Sequence, residues 1–188
     1  MAQSFLLERV NPNPARFDVK KCTAINGDWI RHLAIDDLVE RLVPYLQRDG
    51  VIGSTPSAED MNLVRAVVPL ISERLETLGQ ASAMVGFLFT DDIAIDAGDA
   101  EKIMGDQADD VLREAEAALA GLDEWTTEAI ERALRATLIE ERGLKPKVAF
   151  GPVRLAITGR RVSPPLFESM ELLGADRSLS RIRSLHAS

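Results

Sequence analysis

The chain has 188 residues, 46% of them hydrophobic, and a formal net charge of −8, enough apolar material for one domain or two small ones. Its single cysteine, Cys22, excludes an internal disulfide and a tetracysteine metal site. No apolar run approaches membrane-spanning length and Met1 to Val10 is too short and too charged for a signal peptide, so a cytoplasmic protein is expected.

In chain order, Asn11-Pro12-Asn13-Pro14 is a turn-rich start. Asp18 reads as the N-cap of a short helix from Val19 to Ile25, Asn26-Gly27 as a break, and Asp28 to Leu33 as a second short helix. From Ile35 to Gly50 the spacing of Leu38, Leu42, Tyr45 and Leu46 predicts an amphipathic helix, started by Asp36-Asp37 and bent at Pro44. Val51 to Ser57 is a surface connection. Ser57 then caps a longer helix through Leu63, Val67, Leu70, Ile71, Leu75 and Leu78 to Gly79, kinked near Pro69. The apolar stretch Gln80 to Thr90 is read as a helix packed between two halves of the molecule, with Phe87, Leu88 and Phe89 as core and a strand as the alternative.

Asp91 to Glu124 holds twelve acidic residues against two basic ones. No EF-hand spacing appears, so the stretch reads as a solvated face rather than a metal site. Asp123 to Gly143 is a further helix, capped by Thr126 or Thr127, with Ile130, Leu134 and Leu138 on one face and Gly143 as its stop. Trp29 and Trp125 are isolated and expected to be buried, and His32 and His186 have no partner in sequence. Every clearly periodic segment is helical, which predicts an all-α fold.

Charge reverses at the end of the chain. From Lys145 to Ser188 there are eight basic residues and three acidic ones, so a polyanion is the natural partner. A basic loop leads to Ser163-Pro164-Pro165, where Ser163 is expected to cap a helix and Pro164 to take its first position. Leu166, Met170 and Leu173 fall on one face, Gly174 offers the stop, and an arginine-rich final turn follows. A helix N-terminus flanked by Arg154, Arg160 and Arg161 is suited to an anion or phosphate.

The run PVRLAITGRRVSPPLFESMELLG, followed by RSLSRI, resembles the C-terminal end of bacterial glutamyl-tRNA synthetases, where a similar series belongs to the anticodon-binding domain. ERVNPNPARFDVKKCTAINGDWIRHL resembles the segment that leads from the catalytic half of the same family into its anticodon-binding half. The resemblance covers nearly the whole chain. It implies the helical end of a tRNA stem-contact segment over residues 1–34, then two small helical bundles in tandem over 35–91 and 92–188. Arg74 matches an arginine that reads the third anticodon base, and Arg135 and Arg154 match anticodon-contacting arginines. The junction Ser163, Pro164 and Leu166 matches groups that read a base edge, with Leu166 a surface for a base to lie against.

Lys20, Lys21, Arg31, Arg160 and Arg161 remain candidate phosphate contacts, and Ala24 stands where the family often has an aromatic residue. The implied partner is tRNA(Glu), with tRNA(Gln) a second candidate, and the implied state is a monomer. No catalytic or cofactor signature is present: the family's ATP-binding His-Ile-Gly-His-like and Lys-Met-Ser-Lys-Ser-like motifs are missing. The expectation is therefore a C-terminal piece of a glutamate–tRNA ligase. ATP and Mg belong to the parent enzyme, and no metal or cofactor to this chain. Two other classes stand beside it: a stand-alone helical protein-interaction module using the acidic 91–124 face, and a small helical enzyme, which would need an acid/base pocket the sequence does not show.

Overall fold

The computed structural model describes residues 18–186, so the Asn11–Pro14 turn lies outside the described residues. Asp18 caps α1 (Val19–Arg31), its Oδ1 accepting from Lys21 N at 3.1 Å. The expected break at Asn26-Gly27 is absent, and α1 is continuous. Asn26 Nδ2 donates to the Glu76 carbonyl at 2.5 Å, and a Cβ on Gly27 would lie 3.4 Å from Glu76 Cα. This pair marks where α1 crosses another part of the chain closely, a use of glycine that looks like a helix stop in sequence.

In α2 (Ile35–Arg48), Asp36 and Asp37 complement the N-terminal dipole and Leu38, Leu42 and Leu46 bury one face, with Pro44 carried inside the helix. In α3 (Ala58–Ile71), Ser57 and Asp60 form a capping box. This helix stops at Ile71 rather than at Gly79. Pro69, near its end, has no amide to close the last turn; the chain tightens into a 3-10 turn over Ser72–Arg74, and Leu75 then enters the core in extended conformation. The expected helix after Gln80 forms as two short pieces, α4 (Ala81–Val85) and a 3-10 turn, Gly86–Phe89, with Phe87 and Leu88 buried. There is no strand among the described residues.

The second part comprises α5 (Ala97–Ile103), α6 (Ala108–Ala120), α7 (Thr127–Leu134), α8 (Pro146–Thr158), α9 (Leu166–Leu173) and α10 (Ala175–His186). Thr126 caps α7 as expected, and Gly143 (φ 70°) ends that helical run. Between them the helix widens into a π-helical stretch over Arg135–Glu141, which periodicity did not predict. The expected basic loop before Ser163 is mostly α8, with Pro146 in its first turn. The arginine-rich final turn is the three-turn helix α10.

α6 lies along α10, α7 meets α9, and α8 bridges α6 and α10, while α2 packs on α3 and α4. α3 also meets α9, and the buried apolar side chains form one continuous core from Ile30 to Ile182. Across the seam Arg177 Nη1 donates to the Leu88 carbonyl at 2.9 Å. Arg181, 7% exposed, donates from Nη1 to Ile157 O at 2.7 Å and from Nη2 to Phe87 O at 2.8 Å and Thr90 O at 2.5 Å. Burial, and then the neighbouring Arg177, push the Arg181 guanidinium down to about 10, with Asp91 and Asp92 opposing; it stays a cation at neutral pH.

Candidate nucleic-acid interface

The site is built on the seven residues between α8 and α9. Gly159 (φ 74°) turns the chain out of α8, and its carbonyl accepts from Asp96 N at 2.9 Å. A Cβ there would overlap the Ala94 carbonyl, so only glycine lets the loop lie this close. Arg161 N donates to Asp99 Oδ2 at 2.8 Å, tying the loop to the start of α5.

Ser163 and Pro164 are buried at the centre of the loop, and Ser163 does not cap α9. Pro165 occupies the N-cap position, since two prolines in succession hold the chain extended for one residue more before the helix can start. The Ser163 hydroxyl is used elsewhere. Arg154 Nη1 donates to Ser163 Oγ at 2.7 Å and to Pro164 O at 2.8 Å, while Arg74 Nη1, arriving from the turn after α3, donates to Ser163 O. Two guanidinium groups thus converge on one serine. Burial, and then the nearby Arg74 charge, push Arg154 below its ordinary value, with Glu168 opposing.

Among the described residues neither Arg74 nor Arg154 makes an ion pair, and each reaches its partners through Nη1 alone. Their Nε and Nη2 donors have no hydrogen-bond partner. Paired cations without a carboxylate favour an anion, and the fork of a guanidinium suits phosphate or a base edge.

The other candidates divide. Arg135 pairs with Glu131 at 2.6 Å and lies 5.8 Å from the centroid of the Phe150 ring, which meets Phe167 edge-on at 5.4 Å. Leu166 is 3% exposed, so it belongs to the core and presents no surface to a base, a correction of the sequence expectation. Arg160 is exposed beside Arg74 in a shallow cleft, whereas Arg161 is partly neutralised by Asp99 at 3.7 Å. On α1, which packs against Ser72–Arg74, Lys20 and Lys21 are exposed and Arg31 pairs with Asp28.

Three of the arginines in the C-terminal excess serve the fold: Arg177 and Arg181 bind carbonyls, and Arg183 pairs with Glu116 at 2.6 Å. His186 also meets Glu116 at 2.7 Å, a partner invisible in sequence. Arg142 holds Glu114 and Asp110. The acidic stretch is therefore only partly a solvated face. Trp125 Nε1 donates to Met170 O at 2.8 Å, but Trp29 is 71% exposed, contrary to expectation. Two features were missed: Val162, 67% exposed in the middle of the basic loop, and the Phe150–Phe167 pair. An apolar residue between Arg161 and Ser163 was a signal that could have been used.

Among the described residues no group of three or more His, Cys, Asp or Glu side chains is placed to hold a metal ion, and no helix is long and apolar enough to cross a membrane.

An all-helical chain whose loop gathers unpaired guanidinium groups has the character of a nucleic-acid-binding module, and a family model described as an anticodon binding domain matches residues 37–185. The chain belongs to that family. It is 52% identical over 185 residues to a glutamate–tRNA ligase of Saccharopolyspora erythraea, which covers 98% of this chain and 37% of that protein. A glutamate–tRNA ligase of Nocardioides sp. is 50% identical, covering 98% of this chain and 38% of its own length. The chain thus spans little more than a third of these relatives. In fold it is similar to a crystal structure of a glutamate tRNA ligase from Elizabethkingia meningosepticum, with TM-score 0.76 at 21% identity over 98% of this chain and 35% of that one.

Proposed function

We propose that this chain binds and positions the anticodon loop of tRNA(Glu) as the C-terminal part of a glutamate–tRNA ligase, with tRNA(Gln) a second candidate. The observation that carries the reading is the convergence of Arg74 and Arg154 on Ser163, each guanidinium keeping unspent donors. Gly159, Asp99 and the buried Ser163-Pro164 peptide hold the loop from both sides. A splayed-out base is met by donors already aimed, so little ordering entropy is lost on binding. Arg74 comes from the bundle over 35–91 and Arg154 from that over 92–188, so this division of the chain places the reading site on their seam. Arg135, backed by Phe150, and Arg160 supply further contacts at the rim, and Lys20, Lys21 and Arg31 extend the basic surface along α1.

In the parent protein ATP and Mg would serve the ligation step, carried out by sequence this chain does not contain; the chain's own part is to hold the tRNA. The parent is read as a cytoplasmic monomer. The protein-interaction alternative loses part of its support, because four of the twelve acids it would use, Asp99, Asp110, Glu114 and Glu116, are committed to Arg142, Arg161, Arg183 and His186.

The test is a titration with fluorescent anticodon stem-loops of tRNA(Glu), tRNA(Gln) and an unrelated tRNA, at two salt concentrations. The Glu stem-loop is expected to bind best, to weaken with salt, and to lose roughly 1–3 kcal/mol with Arg154→Ala. Equal binding of all three, indifferent to that substitution, overturns the proposal.

A further inference from the structure

A groove of about 1160 Å³ has Arg154 and Arg161 on its lining and lies between the α5–α6 turn and the first turn of α8. Its walls carry Lys102, Lys145 and Lys147, all exposed, against a single carboxylate, Asp106. Among the described residues none of these three ammonium groups has a hydrogen-bond or ion-pair partner, whereas eight arginines pair with a carboxylate, in a chain of net charge −8. α8 opens here with no acidic residue in its first turn, so its free amides add to the positive field. The groove is also lined by apolar groups: Val148 is 45% exposed, beside Pro146 and Phe150.

Cations on the rim over an apolar floor are the features that hold single-stranded nucleic acid, the cations tracking phosphates and the floor accepting a base face. A folded acidic protein would meet the charges but would have no use for an apolar floor. We propose that this groove takes the single-stranded nucleotides flanking the anticodon, with Lys102, Lys145 and Lys147 on their phosphates and Val148 under a base. The inference rests on the anticodon reading above and adds to it a sequence-independent hold on the loop backbone next to the base-reading site.

The test compares wild type, the triple variant K102A/K145A/K147A, a triple Lys→Arg variant and Arg154→Ala. Each is titrated with the tRNA(Glu) stem-loop and the unrelated stem-loop over a range of salt. Since the three lysines are exposed, the fold is expected to survive, with unchanged helical circular dichroism. Three lost phosphate contacts should weaken both stem-loops at least tenfold at about 0.1 M salt and reduce the slope of log K against log salt by about 2. Preference for the Glu loop should persist, and the Arg variant should restore affinity. If the triple Ala variant keeps wild-type affinity and slope while Arg154→Ala weakens binding, the groove is overturned and the anticodon reading stands. If the wild-type chain shows no preference for the Glu loop and no response to Arg154→Ala, the anticodon reading fails and the groove falls with it.

Discussion

Replacing Arg181 by methionine tests whether a cation joins α10 to α8 and to the Phe87–Thr90 turn. The side chain is similar in length, so packing is largely kept, but three carbonyls, those of Phe87, Thr90 and Ile157, lose their donors. Each buried acceptor left unpaired costs roughly 1–3 kcal/mol. Part is recovered, because the native state no longer buries a cation whose Nε has no partner. A net loss of about 3 kcal/mol is expected, within the usual range for breaking a buried charged contact. With a urea m-value on the order of 2 kcal/mol/M, the midpoint of urea unfolding falls by about 1.5 M at an unchanged slope. Arg181→Lys should recover less than half, since a point charge cannot span carbonyls on two elements. A loss below about 1 kcal/mol for Arg181→Met refutes the reasoning and means that these carbonyls find other partners.

Gly159→Ala forces a left-handed backbone on an L-residue, at about 1–2 kcal/mol, and drives a Cβ into the Ala94 carbonyl; Tm should drop by at least about 4 °C, with weaker stem-loop binding because the loop is displaced. Glu116 concerns pH. The hydrogen bond from His186, and then that from Arg183, hold its carboxyl below the usual value of 4.5. The unfolded state therefore binds more protons than the native state there, so this stabilisation is full above that value and is lost as pH falls through the depressed native value. Denaturant titrations should show Glu116→Gln less stable than wild type at neutral pH and a shrinking gap in acid; a constant gap would count against the linkage.

The elements whose ends are marked by local chemistry were legible from the residues alone. Asp18, Ser57 and Thr126 cap their helices in sequence as in the structure, and Gly50 and Gly143 take the positive φ that ends a helical run. Misreadings came where a distant contact overrode a local signal. Asn26-Gly27 resembles a stop, yet it is held inside a helix by Glu76; Ser163 resembles a cap, yet its hydroxyl is taken by Arg154. Of the candidate site, the arginines were readable by type and by resemblance. Leu166, by contrast, looked available and is buried, while Trp29 looked buried and is exposed.

By itself the sequence determined the all-helical class, the helix starts at Asp18, Ser57 and Thr126 and the concentration of cations toward one end, because caps, periodicity and charge act over a few residues. Only the tertiary structure decided which cations keep unpaired donors. Arg177, Arg181 and Arg183 are spent on carbonyls and on Glu116, whereas Arg74 and Arg154, 80 residues apart in the chain, meet on one buried serine with donors to spare. A side chain's availability depends on the partner that folding brings to it, and that partner is rarely a neighbour in sequence.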